Sequence, residues 1–165
     1  MENEVSNAGR TPNQNDLVTL CRALNEQQAK YVIIGGFAVI YHGYLRATED
    51  IDVLLDGDLE NQMRVKKALE ILPDKAVLEL GSDDLRSYSV VRVSDEILVD
   101  LMIRACGIDY TEARKSIEIA NIKGVAIPFA NAHLLLRMKQ THREKDADDR
   151  VFLHRKIAES SRLSH

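Results

Sequence analysis

The feature that most constrains the fold is a short β-branched run that ends in two glycines. The segment Tyr31–Ile34 reads Tyr-Val-Ile-Ile, which is typical of a buried strand, and Gly35-Gly36 follows it directly. The next segment, 37–44, is predicted to be a helix, and a second apolar run over 51–55 predicts another strand. The core of the chain therefore begins as strand, helix, strand.

Further elements complete a predicted α+β domain. Apolar residues recur at helical spacing before the first strand, which predicts a helix ending near Ala29. Asp58 can cap a further helix over 59–72, and 81–86 is predicted to be a polar loop. Later in the chain we expect strands over 87–93 and 97–103, a helix from the Asp109 capping box to about Ala120, a strand over 124–129, a helix capped by Asn131 and a last helix from Asp146.

Composition favours one soluble domain. The 165 residues are 45% hydrophobic and 29% charged, which suits a globular protein with a core. The net charge of −4 provides no global positive field, so any nucleic-acid contact would be local. The polar N-terminus, the lack of a long apolar run and the two cysteines favour a cytoplasmic protein without a membrane partner. We divide the chain into a polar tail (1–14), a core (15–129) and a C-terminal helical segment packed on that core (130–165).

The glycine pair is the first of three candidate functional features. Glycines between a strand and a helix let the backbone approach an anion, and a helix N-terminus offers unpaired N–H groups. Gly35 and Gly36 are therefore candidates for binding phosphate. A tight turn that simply requires small residues is the alternative for this pair.

Two aspartates in the second strand are the next feature. Asp50 and Asp52 are two residues apart, so in a strand both carboxylates lie on one face while Ile51 and Val53 enter the core. Two like charges on one face repel each other unless a cation lies between them. The alternative is a strand that begins at Ile51 and leaves both acids solvated at its edge.

Asp100 is the third feature, because it interrupts an otherwise apolar strand. A lone buried carboxylate is costly and is expected to be paired, protonated or bound to metal. If this strand lies beside the one with Asp50 and Asp52, three carboxylates converge in an all-oxygen site suited to Mg²⁺. Asp83 and Asp84 are alternative third acids. Basic groups that could complete the site are Arg46, Arg137, Lys139, Arg143 and Lys145.

These features together resemble the nucleotidyltransferase superfamily typified by DNA polymerase β. The resemblance is carried by Gly35-Gly36, then 37–49, then Asp50-x-Asp52, with a third acid on a later strand. More narrowly, the segment YVIIGGFAVIYHGYLRATEDID (31–52) is similar to AbiEii-type nucleotidyltransferases, which include toxins of toxin–antitoxin systems. The segment LLLRMKQTHREKDADD (134–149) is similar to the Lys-Asp-x-x-Asp helices of that group. The resemblance implies a mixed β-sheet flanked by helices.

The function that the resemblance implies is transfer of a nucleoside monophosphate from an NTP, such as ATP, to an acceptor hydroxyl, with release of pyrophosphate. Asp50, Asp52 and Asp100 would be the catalytic and metal-binding residues, with two Mg²⁺ ions expected. Asp100 could also accept the acceptor's proton. The implied nucleotide- and phosphate-binding residues are Gly35, Gly36, Arg46, Thr48 and Lys139.

Several alternatives stay open at the level of sequence. The acids of the Lys145-Asp146-x-x-Asp149 run could simply favour the dipole of a first helical turn, and Lys139 could be a solvated helix residue. The acceptor could be RNA or tRNA, a protein or a small molecule, and a cognate antitoxin or self-association is compatible with the sequence. A non-catalytic module that senses nucleotide or binds a partner is the alternative function. A Rossmann-type site fits less well, because the glycine pair lacks a further glycine at the needed spacing.

Overall fold

The computed structural model describes residues 9–140 and 144–163. Its strands are β1 (Tyr31–Ile34), β2 (Asp50–Leu55), β3 (Val91–Ser94), β4 (Leu98–Met102), β5 (Arg104–Ala105), β6 (Ile108–Asp109), β7 (Ile117–Ile122) and β8 (Val125–Ala130). Its α-helices are α1 (Gln14–Glu26), α2 (Gly35–Tyr41), α3 (Leu59–Leu69), α4 (Asp84–Ser87), α5 (Tyr110–Ala113), α6 (Ala132–Met138) and α7 (Glu144–Leu163). Short 3₁₀ helices lie at Ala76–Glu79 and Arg114–Ser116.

Six strands form one mixed sheet in the order β3-β4-β2-β1-β8-β7. The central strand β2 is antiparallel to β1 and parallel to β4, and β8 is parallel to β1. The edge strands β3 and β7 are antiparallel to β4 and β8. The predicted α+β class, with a mixed sheet flanked by helices, is confirmed.

Apolar side chains of the central strands form the middle of the core. All four residues of β1 are buried, as are Ile51 and Val53 of β2. Helix α1 packs against α3 and β8, whereas α6 packs against α2 and α7. This packing fixes the positions of β2 and β4, and with them the positions of the polar residues on these two strands.

The segment 117–120 is a strand, so the helix predicted to run to Ala120 is wrong beyond its first turn. The capping prediction holds, because the Asp109 side chain accepts a hydrogen bond from Glu112 N, but α5 ends at Ala113. Lys123 and Gly124 both have positive φ, which forms a two-residue turn that pairs β7 with β8. All six residues of β7 pair with β8 across this hairpin, and that tertiary pairing outweighs the local helix signal.

Other boundaries differ by a few residues. Helix α2 begins at Gly35 rather than after the glycine pair, and α3 ends at Leu69. The turn between β3 and β4 contains Asp95 instead of a glycine. Its buried carboxylate accepts hydrogen bonds from Asp74 N, Ala76 N and Glu96 N, which ties the turn to the chain before it.

A single helical turn, α4, begins within the segment 81–86 that the sequence predicts as loop and ends at Ser87, and β3 begins only at Val91. The last helix begins at Glu144, two residues before the predicted start. Within the described ranges, none of the helices is long and apolar enough to cross a membrane.

Candidate active site

Three carboxylates meet where β2 and β4 run side by side. The two strands are parallel, and Asp52 lies directly opposite Asp100 in their register. Asp50 is two residues before Asp52 and therefore on the same face. One carboxylate oxygen from each residue lies within 4.8 Å of the others. The predicted meeting of these acids is observed, and we call Asp50, Asp52, Asp100 and the arginine described next the carboxylate cluster.

Arg92 completes this cluster, and the sequence analysis missed it. It lies on β3 directly opposite Asp100. Its Nε and Nη2 donate to Asp100 Oδ1 and Oδ2 at 2.8 and 2.9 Å, and Nη2 also donates to Asp50 Oδ2 at 2.8 Å. The hydrogen bonds to Asp100, followed by the negative charges of Asp100, Asp50 and Asp52, raise the pKa of Arg92 above its ordinary value, so the guanidinium stays charged. The alternation of Val91-Arg92-Val93 places Arg92 on the polar face, but only the strand register shows which acids it meets.

The glycine turn fits closely against the cluster. Gly35 has φ +71, and a Cβ at this position would lie 1.9 Å from Asp52 Oδ2. A Cβ on Gly36 would lie 2.4 Å from Thr48 Oγ1. Both positions therefore require glycine for close approach, in addition to the positive φ at the first. Thr48 itself donates to the backbone carbonyl of Asp50 at 3.3 Å, which fixes its hydroxyl beside the start of β2.

A cavity of about 410 Å³ opens over these residues. All of the predicted site residues line it, namely Gly35, Gly36, Arg46, Thr48, Asp50, Asp52, Asp100 and Lys139, together with Arg92. The structure thus brings the two glycines, the acids and the two predicted basic groups to one open space.

Arg46 and Lys139 reach the cavity from a second group of charges, which we call the buried ion-pair cluster. Arg46 donates to both oxygens of Asp149 at 2.9 and 3.0 Å. Lys139 Nζ lies 3.1 Å from Asp146 Oδ1 and 3.1 Å from Asp149 Oδ2. The side chains of Asp146 and Asp149 are 0% exposed and that of Lys139 is 7% exposed. These residues are therefore not merely a solvated helix start: they join α7 to the loops around the cavity.

The other basic candidates lie elsewhere. Arg137 is exposed and forms an ion pair with Glu112. Arg143 and the Lys145 side chain lie outside the described residues. Asp84, an alternative third acid, accepts a hydrogen bond from Gly81 N in its own loop, at 2.7 Å.

The two clusters differ in what they can bind. Three carboxylates with one arginine leave a formal charge of −2 on the carboxylate cluster, in a site open to solvent. Carboxylate oxygens are hard ligands that suit Mg²⁺ or a similar cation. The other cluster has two acids and two bases and is formally neutral, but its buried acids hold the N–H groups of Arg46 and Lys139 at one wall of the cavity.

The solved structures that are similar to this chain over most of its length include the following two. The lincosamide antibiotic adenylyltransferase LnuA, bound to lincomycin, matches with a TM-score of 0.60 and 16% identity, covering 88% of this chain and 98% of that one. ANT(2")-Ia, in complex with adenylyl-2"-tobramycin, matches with a TM-score of 0.57 and 15% identity, covering 89% and 91%. No protein-family model matches the sequence, and neither does any curated protein. The chain has the nucleotidyltransferase fold, and the narrower AbiEii-type resemblance stays a prediction.

Proposed function

We propose that this protein is a Mg²⁺-dependent nucleotidyltransferase that transfers a nucleoside monophosphate from an NTP to an acceptor hydroxyl. The observation that carries the proposal is the meeting of Asp50, Asp52 and Asp100 in one open cavity. The nucleotidyltransferase fold supports it, because LnuA is a lincosamide antibiotic adenylyltransferase and ANT(2")-Ia is seen in complex with adenylyl-2"-tobramycin.

The donor set fits a divalent metal. Asp50, Asp52 and Asp100 offer oxygen ligands within 4.8 Å of one another, and Arg92 balances only part of their charge. We propose that these three residues hold two Mg²⁺ ions. When bound, such ions neutralise the triphosphate and stabilise negative charge on the attacking and leaving oxygens.

The remaining roles follow from the contacts within the chain. We propose that Gly35 and Gly36 let the β and γ phosphates approach the backbone and that Thr48 flanks the nucleotide. Arg46 and Lys139 supply positive charge for the triphosphate. Their ion pairs with buried acids hold them in place, so little rearrangement is needed when phosphate arrives.

In the proposed reaction the acceptor oxygen attacks the α phosphorus. A new P–O bond forms, the bond from the α phosphorus to the bridging oxygen of the β phosphate breaks, and pyrophosphate leaves with that electron pair. Asp100 accepts the proton of the acceptor hydroxyl. Arg92 donates hydrogen bonds to both oxygens of Asp100 and so orients this carboxylate. One of these hydrogen bonds must break when a carboxylate oxygen accepts the proton.

Labelled NTPs test the proposal directly. Each NTP is incubated with Mg²⁺ and with separate RNA, protein and small-molecule fractions, and label transfer and pyrophosphate release are recorded. Asp50→Asn and Asp52→Asn should each reduce transfer by at least about 100-fold, since they remove charge where it is needed in the transition state. Asp83→Asn, on an exposed residue outside the cavity, is the matched control. Transfer that survives both substitutions would refute the metal assignment.

Arg92 favours one alternative, a non-catalytic module that senses nucleotide or binds a partner. Its guanidinium already bridges Asp50 and Asp100, as a cation would. Binding of Mg²⁺ and NTP, seen as thermal stabilisation, without pyrophosphate release would support this alternative over the enzyme.

Other aspects of the function are also proposals. The acceptor could be RNA or tRNA, a protein or a small molecule such as those named for the two similar structures. The sequence resemblance and the composition are the basis for three further proposals: a toxin–antitoxin role with a cognate antitoxin, self-association and a cytoplasmic location. The division into tail, core and C-terminal helical segment is a proposal of the same kind.

A further inference from the structure

A second groove of about 320 Å³ lies beside the cavity. The two spaces share Ser89, Arg104 and Cys106 in their walls, so the groove continues the cavity. Its other wall is the segment that contains α4 and Tyr88. The cavity side of this junction is where β3 and β4 carry Arg92 and Asp100. The groove therefore leads to the carboxylate cluster from the side of the sheet edge.

The charged groups in the groove are of one sign. Arg86 and Arg104 line it, both are exposed, and no acid does so among the residues that the structure describes. Neither guanidinium forms an ion pair within residues 9–140 and 144–163. Arg22 and Arg114 are also exposed and form no ion pair within those residues, so what distinguishes Arg86 and Arg104 is their position together in one groove. Two unpaired arginines in one groove of a chain with net charge −4 mark a local anion site.

Tyr88 adds a flat surface to the same groove. Tyr88 is 63% exposed and lines the groove, so a ligand there can reach its ring. An exposed tyrosine ring can pack against a sugar or a base, and its hydroxyl can donate a hydrogen bond. The groove thus combines two guanidinium groups, each able to donate two parallel hydrogen bonds to a phosphate, with one aromatic surface for stacking.

We infer that this groove binds the acceptor and that the acceptor is a hydroxyl compound carrying a phosphate group. This inference rests on the proposed function, in which Asp100 accepts the proton of the acceptor hydroxyl. Because the groove neighbours Asp100, we assign it to the acceptor. Arg86 and Arg104 bind the phosphate, Tyr88 packs against the adjoining sugar or base, and the free hydroxyl points toward the carboxylate cluster. A polycationic acceptor such as tobramycin is disfavoured, since the groove offers it two positive charges and no acid.

Binding is tested apart from transfer. The protein is saturated with Mg²⁺ and a non-hydrolysable ATP analogue, so that the triphosphate site is filled, and affinities are measured by titration calorimetry. The probes are ribose 5-phosphate, ribose, an RNA trinucleotide with a free 3′ hydroxyl, and tobramycin. The variants are the double substitution Arg86→Gln with Arg104→Gln and, as matched control, Arg22→Gln on the exposed side of α1.

The inference expects ribose 5-phosphate or the trinucleotide to bind at least ten times more tightly than ribose and tobramycin. Which of the two binds better distinguishes a small phosphorylated acceptor from an RNA end. The double variant should lose at least ten-fold in affinity for that probe, and Arg22→Gln should match the wild type. Wild-type affinities for ribose 5-phosphate and for the trinucleotide that are both no higher than those for ribose and tobramycin would overturn the inference without any substitution, and so would a double variant that binds like the wild type.

The outcome for this groove is separate from that for the proposed function. Efficient nucleotide transfer to neutral or cationic acceptors, with no preference for phosphate, would overturn the groove assignment and leave the enzyme standing. Phosphate-dependent binding that the double variant loses, in a protein that releases no pyrophosphate, would support the groove and refute the enzyme.

Discussion

The two charged clusters that reach the cavity are built in opposite ways. The carboxylate cluster has three acids and one arginine, and that arginine side chain is 48% exposed. The buried ion-pair cluster has two acids and two bases, and both of its acids are fully buried. Buried charge must be paired to be tolerated, whereas a surplus of one sign is tolerated only near solvent. We therefore expect the buried cluster to stabilise the fold and the carboxylate cluster to bind a cation.

The largest expected effect is from Asp149→Ala in the buried cluster. Removal of this carboxylate leaves the Arg46 and Lys139 charges short of a buried partner, so we expect the free energy of unfolding to fall by about 3–5 kcal/mol. Urea denaturation measures the change. Asp148→Ala, one residue earlier and exposed, should shift stability by no more than about 0.5 kcal/mol. Equal effects of the two substitutions would show that the buried cluster does not hold α7 in place.

Gly35→Ala should have the next largest effect and should act on the other cluster. The added Cβ meets Asp52 Oδ2 at 1.9 Å and the residue keeps φ +71, so we expect a loss of about 2–3 kcal/mol from overpacking and strain together. Gly107→Ala is the matched control, because Gly107 has φ +78 but no atom within 4 Å of its added Cβ. The difference between the two substitutions, measured by thermal unfolding, isolates the collision with Asp52.

Displacement of Asp52 also predicts a loss of Mg²⁺ binding in Gly35→Ala. The Mg²⁺-induced rise in unfolding temperature, measured against EDTA, should be small in this variant and retained in Gly107→Ala. An intact rise in Gly35→Ala would mean that the glycine turn does not position the carboxylate cluster.

How far the sequence predicts the site depends on whether a feature is local. The spacing Asp50-x-Asp52 fixes a common face within one strand, and that much was predicted. The position of Asp100 opposite Asp52 was predicted only on the condition that the two strands are neighbours, which the structure now shows. Arg92 was missed because its role arises from the register of β3 on β4, and nothing local in Val91-Arg92-Val93 reveals that register.

The buried cluster and the β7 strand show the same limit. The sequence identified Lys139, Asp146 and Asp149 but not that they are buried together, because the contacts join α7 to Arg46 more than 100 residues away. The strand β7 follows a real helix cap at Asp109, and only its pairing with β8 reveals the strand. Local chemistry was predicted well, whereas long-range pairing required the structure.

Arg92→Gln is expected to have a smaller effect on stability, and it makes the carboxylate cluster more negative. Without the guanidinium, three carboxylates face one another uncompensated, and we expect the metal-free protein to lose about 1 kcal/mol, since the pair is partly exposed and screened. The loss should shrink at high salt. Mg²⁺ should stabilise this variant more than the wild type, because the ion no longer competes with Arg92 for Asp50 and Asp100. An equal or smaller Mg²⁺ effect would show that Arg92 does not occupy the cation's place.

Asp52→Asn is expected to cause the smallest change in the unfolding free energy of the metal-free protein, and this change has the opposite sign. This nearly isosteric substitution keeps the contact with Gly35 and takes the formal charge of the carboxylate cluster from −2 to −1. In EDTA the unfolding free energy should therefore stay the same or rise by no more than about 1 kcal/mol, because repulsion between neighbouring acids is relieved. With Mg²⁺ the order should reverse, since the wild type gains stability from the ion and the variant does not. A metal-free Asp52→Asn protein destabilised as strongly as Asp149→Ala would instead place Asp52 among the residues that hold the fold together, and the difference between the two clusters would disappear.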